Sequence, residues 1–76
     1  MTVYVAICCD RHIDECVRVF STPDKAVAFC KQFMAENARF PDAIREHRPG
    51  DWLYDATYSV EGDSVRVELT EVDDAS

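Results

Sequence analysis

The stretch TPDKAVAFCKQFMAEN, residues 22–37, decides how the rest of the chain must fold. Thr22 suits an N-cap and Pro23 suits the first helical position, where a missing N–H costs nothing. Asp24 then places negative charge at the positive end of the helix dipole. At roughly 100° per residue, Ala26, Val27, Phe29, Cys30, Phe33 and Met34 fall on one side, and Lys25, Ala28, Lys31, Gln32, Ala35 and Glu36 on the other. The spacing therefore predicts one amphipathic helix with one buried face. Each large side chain buried there contributes about 1.5–3 kcal/mol, a large share of the stability available to so small a domain. A Phe/Met stripe could instead line a cofactor, but a chain of 76 residues has little else to pack against a sheet.

Working outward, Thr2 to Cys8 and Glu15 to Phe20 are rich in β-branched residues and flank the polar cluster Asp10-Arg11-His12, which predicts a β-hairpin. Placing Val3, Val5 and Ile7 against the helix, paired with Val19, Val17 and Glu15, turns Tyr4, Ala6, Cys8, Asp14, Cys16 and Arg18 to the opposite face. After the helix, Asn37 suits a C-cap, and Pro41 to His47 allows one short helical turn before the Pro49-Gly50 breaker. Trp52 to Val60 alternates, with Trp52, Tyr54, Ala56, Tyr58 and Val60 facing inward. Glu61-Gly62-Asp63-Ser64 reads as a loop, so that Val65, Val67 and Leu69 pair with Val60, Tyr58 and Ala56. On the outer face this register sets Ser59, Thr57 and Asp55 opposite Arg66, Glu68 and Thr70.

The expected fold class is α+β: ββαββ, a four-stranded, mostly antiparallel sheet with one main helix packed on one face. Strand order 2-1-3-4 or 2-1-4-3 satisfies the connection rules. Residues 1–76 form a single expected domain, with an ordered core of about 2–72 and an acidic C-terminal tail at 73–76.

Fifteen Asp and Glu against eight Lys and Arg give a net charge of −7. Residues 1–50 hold seven acids and seven bases, whereas residues 51–76 hold eight acids and Arg66 alone. All of the net charge lies in the last third of the chain. Such a field opposes direct binding to nucleic acid or an anionic membrane and favours solubility or a basic partner. The longest apolar run, Val3 to Cys9, is too short to cross a bilayer and lacks the flanks of a signal peptide. A cytoplasmic location, in a bacterium or a phage-infected host cell, is the expectation.

No motif specifies a reaction. Cys8-Cys9-x2-His12-x3-Cys16 gathers soft ligands around one hairpin, with Cys9, His12 and Cys16 as the candidate metal ligands. The predicted alternation sends Cys9 toward the core with Cys30 and leaves Cys8 and Cys16 diagonal to each other on the outer face, so four ligands do not converge. A Cys8–Cys16 disulfide would require oxidation, and cytoplasmic thiols stay reduced. His12 with Asp10 and Asp14 only loosely imitates a base held by a third group. With glycine at positions 50 and 62 alone, the chain has no phosphate-cradling loop. Arg39, Arg45, His47 and Arg48 beside Phe40 and Trp52 resemble a stacking platform for nucleic acid, but interleaved Asp42, Glu46 and Asp51 and the acidic C-terminal hairpin offer simpler partners.

These observations lead to the expectation of a small acidic, non-enzymatic protein-binding module without a cofactor. Its partner would be another protein with a basic or nucleic-acid-binding surface, occupied as small acidic phage inhibitors including anti-CRISPR proteins do; that comparison rests on size and charge. The residues expected to meet the partner are Asp55, Glu61, Asp63, Glu68 and Glu71, with Tyr4 and Leu53 on the open sheet face, through which a homodimer could also form. The alternative is a thiol- or metal-based sensor or small enzyme using the Cys8–Cys16 hairpin.

Overall fold

A computed structural model describes residues 1–10, 15–47, 53–59 and 62–72. Helix α1 runs Pro23–Asn37, and Thr22, in extended conformation, accepts the Lys25 N–H on its hydroxyl at 3.3 Å. The expected faces hold. Ala26, Cys30, Phe33 and Met34 are buried, Val27 and Phe29 pack at the margin, and the six polar-side residues are exposed. The cap falls one residue later than expected, at Ala38, whose N–H donates to Met34 O at 2.8 Å. Asn37 instead donates its side-chain amide to Phe33 O at 2.9 Å, occupying another carbonyl of the last turn.

The sheet is antiparallel throughout and has five strands rather than four: β1 Thr2–Cys9, β2 Cys16–Phe20, β3 Arg45–Glu46, β4 Tyr54–Thr57 and β5 Ser64–Glu71. Their order is β2-β1-β5-β4-β3. The four anticipated strands thus follow 2-1-4-3, and the extra strand comes from the connection. There the short helical turn is a 3-10 turn at Pro41–Ala43, after which Ile44 packs on the core and Arg45 and Glu46 pair with Thr57 and Ala56. The His47 N–H donates to Asp55 O at 2.9 Å, extending that edge. The two eight-residue strands, β1 and β5, pair along their whole length at the centre of the sheet.

The first hairpin presents the opposite face to the helix from the one expected. Ala6 and Cys8 are fully buried under α1 with Tyr4, Cys16 and Phe20 beside them, while Val17 and Val19 are 51% and 61% exposed. The reason lies in β5. Strand β1 is apolar on both faces and does not choose, but β5 alternates Val65 and Val67 with Arg66 and Glu68, and only the valines can lie under a helix. Register then carries that choice across, Ala6 opposite Val67 and Cys8 opposite Val65. Small residues on this side leave room for Phe33 and Met34.

The C-terminal hairpin keeps its expected faces but not its register. Val65 lies opposite Ala56 instead of Val60, and Val67 opposite Tyr54 instead of Tyr58. A displacement of four positions is even, so no side chain changes face. Asp55 therefore opposes Arg66 and Thr57 opposes Ser64. The closure is made by Ser59 and Asp63: Tyr58 N–H donates to Asp63 O at 3.0 Å, and the Ser59 hydroxyl donates to the Asp63 carboxylate at 3.0 Å. Gly62 has φ of +98°, and its N–H donates to Ser59 O at 3.3 Å. Trp52, Val60 and the acidic tail at 73–76 lie outside the described residues.

Candidate functional site

With α1 on one side of the sheet, the described chain contains no second long helix to cover the other. Val5 lies opposite Val19 and Ile7 opposite Val17 across β1 and β2, with Val3 at the end of the same row. These five aliphatic side chains form one continuous patch on the outer face. Next to it, Glu68 opposes Val5 and Arg66 opposes Ile7 across β1 and β5, and Arg66 Nε lies 3.5 Å from Glu68 Oε1. Asp55 opposes Arg66 from the far side. An apolar block bordered by a mixed-charge rim is the usual anatomy of a protein-binding surface.

The individual residues expected to meet a partner separate. Asp55 and Glu68 share the outer face and border the apolar patch. Asp63 is only 5% exposed and tied to Ser59, so it offers a partner little surface. Glu71 accepts the Thr2 hydroxyl and lies 3.9 Å from the N-terminal amine, joining the ends of β1 and β5. Glu61 lies outside the described residues. Tyr4 turns inward against the core and cannot share a face with exposed Leu53. A strand apolar on both faces carries no signal of which side is covered; the strict alternation of β5 is the sequence signal that points to the aliphatic patch.

The thiols are also rearranged. Cys8, Cys16 and Cys30 gather on the helix side, and Cys8 and Cys16 are directly opposed across β1 and β2 rather than diagonal. A hydrogen bond with Cys30, and then burial, pushes the Cys8 thiol well above its ordinary pKa. Cys30 receives that hydrogen bond and is lowered, against the effect of its own burial. Cys9 is on the other face, with its thiol 3.5 Å from Glu15 Oε2, so it cannot join Cys16 around one metal ion. His12 lies outside the described residues, and no group of three or more His, Cys, Asp or Glu able to hold a metal occurs among the described ones.

An open depression of about 250 Å³ is lined by Cys9, Asp10, Glu15, Gly62 and Asp63. Its chemistry is quiet. Burial first, then the Glu15 carboxylate, raises the Cys9 pKa, the reverse of what a nucleophilic thiolate needs. Asp10 accepts the Tyr58 hydroxyl at 2.6 Å, a bond between the end of β1 and the C-terminal hairpin. Of the basic cluster, Arg39 and Phe40 are exposed, while Arg45 donates to the Asp42 and Ile44 carbonyls instead of the expected acidic hairpin. His47 shares a 3.2 Å hydrogen bond with Thr57, and Arg48 and Trp52 lie outside the described residues.

No family model, curated protein or solved structure matches the chain. No described helix is long and apolar enough to cross a membrane.

Proposed function

We propose that this protein is a non-catalytic protein-binding module that docks through the open face of its sheet. The observation that carries this reading is the contiguous row of Val3, Val5, Ile7, Val17 and Val19, of which the last two are more than half exposed. A standard interface covers about 800 Å² on each partner, more than five aliphatic side chains supply, so Leu53, Asp55, Thr57, Glu68 and Thr70 complete it as a rim. The partner has an apolar patch bordered by Lys or Arg, because a net charge of −7 repels acidic proteins and a second copy alike. A groove built to hold nucleic acid meets that description, and occupying it would make the module an inhibitor. Four free thiols fit a reducing, cytoplasmic setting.

Quantitative capture from the native host tests this. Wild type and a Gln32→Lys variant on the exposed helix face should recover the same partner in equal amount, while Val17→Lys/Val19→Lys should lose it. Recovery should also fall as salt rises. Equal recovery by the doubly substituted face would overturn the reading. A dimer that dissolves on the same substitutions would assign the face to a second copy instead.

A further inference from the structure

Cys16 is partly exposed and Cys8 is fully buried, yet the two stand directly opposite each other on the helix side of β1 and β2. Opposed residues in an antiparallel pair have Cα atoms about 4.5–5.5 Å apart, inside the roughly 4.4–6.8 Å that a disulfide spans. Cys9 points to the other face, where Glu15 holds its thiol, and Cys30 is fully buried on α1. One of the three clustered thiols is therefore reachable from solvent, and its nearest strand partner is not.

We propose that Cys16 and Cys8 form a reactive pair toward small disulfides of the glutathione type, with Cys16 as the site of first attachment and a cross-strand Cys8–Cys16 disulfide as the product. The Cys16 thiolate attacks one sulfur of the small disulfide; the S–S bond breaks, a mixed disulfide forms on Cys16, and the first small thiol leaves with the proton that Cys16 gave up. Cys8 then attacks the Cys16 sulfur and expels the second small thiol, which takes the Cys8 proton. Two protein thiols are oxidised and one small disulfide is reduced to two thiols.

Burial sets the order. Cys8 is shielded from solvent and holds its proton against Cys30, so it cannot be the site of first attachment, and its attack on the adjacent Cys16 sulfur is the slow second step. The bond would clamp β2, the edge strand carrying Val17 and Val19, onto β1. Neither step needs a protein partner.

Native protein incubated with oxidised glutathione, alkylated, unfolded without reductant and peptide-mapped by mass spectrometry provides the test. The adduct should appear first on Cys16 and then give way to a Cys8–Cys16 linkage, with free thiols falling from four to two. Cys8→Ala should leave the glutathione adduct standing on Cys16. Cys16→Ser should slow glutathione consumption by about tenfold or more, in keeping with the control of exchange by thiol access. Four thiols left unchanged, a linkage through Cys9 or Cys30, or unaltered consumption by Cys16→Ser would each overturn the proposal.

Discussion

The Tyr58 hydroxyl donates to Asp10 at 2.6 Å across a separation of 48 residues, joining the end of β1 to the C-terminal hairpin. Tyr58 is only 2% exposed, so its hydroxyl depends on that carboxylate. Tyr58→Phe keeps the ring against Phe33 and removes one bond to a charged acceptor, and should cost about 1–3 kcal/mol. Chemical denaturation measures it. A neutral substitution would mean that water satisfies both groups as well.

The helix face makes the second prediction. Phe33 is 9% exposed and meets Tyr58 edge-on with ring centroids 6.1 Å apart. Phe33→Ala should destabilise by about 3–5 kcal/mol through lost burial and a cavity. Lys31, on the exposed side, makes a 3.9 Å ion pair with Glu46 and lies over the Tyr54 ring; Lys31→Ala should cost no more than about 1 kcal/mol. Similar losses from the two would contradict the facing of α1.

A third comparison tests which side of β1 lies under the helix. Ala6 has no exposed surface and lies in the core beneath α1, so the two methyl groups added by Ala6→Val should cost about 1–3 kcal/mol by overpacking. Val19→Thr on the open face should change stability by about 0.5 kcal/mol or less. The reverse pattern would restore the orientation in which Val3, Val5 and Ile7 face inward.

What could be read from the sequence divides along the same line. The helix was legible because its charged and apolar residues separate cleanly around 3.6-residue turns, and the facing of Tyr54, Ala56, Tyr58, Val65 and Val67 was legible because charges alternate with them. Strand β1 was not, since Val3, Val5 and Ile7 satisfy strand preference on either face and only the long-range pairing with β5 decides. Strand β3 could not be foreseen, because Arg45 and Glu46 carry no strand pattern and take their conformation from the edge they join. The candidate face depends on the facing of β1: the alternation of β4 and β5 turns Asp55 and Glu68 outward, but nothing in β1 itself says that its aliphatic row lies beside them and not in the core.

Hairpin register gives a fourth prediction. Gly62 at φ +98° has nothing within 4 Å of where a Cβ would stand, so a side chain there meets strain of backbone origin and no clash. Gly62→Ala should cost about 1–2 kcal/mol. Asp63→Ala, which removes the acceptor for Ser59, should destabilise further and loosen amide protection at Tyr58, whose N–H donates to Asp63 O. Full protection at Tyr58 in both variants would show that closure does not set the register.

The fifth prediction concerns alkaline pH. Burial, then the partner carboxylate, raises the pKa of Cys9 beside Glu15, Tyr54 beside Glu46 and Tyr58 beside Asp10. Cys8 is raised and Cys30 lowered by the one hydrogen bond they share, so their contributions oppose each other. For Cys9 and the tyrosines the folded state keeps protons that the unfolded chain releases near pH 8.5 for a thiol and about pH 10 for a phenol. Their stabilisation is complete below those values. Above them the unfolded state binds fewer protons than the folded state, so stability falls as pH rises toward the folded pKa values. Urea unfolding under reducing conditions should show a modest decline from about pH 8.5 and a steeper one beyond about pH 10, where both tyrosines contribute. The Tyr54→Phe/Tyr58→Phe variant, less stable at neutral pH, should flatten the steeper part while leaving the earlier one. A wild-type stability that does not change up to about pH 11 would mean that neither hydroxyl depends on its carboxylate partner.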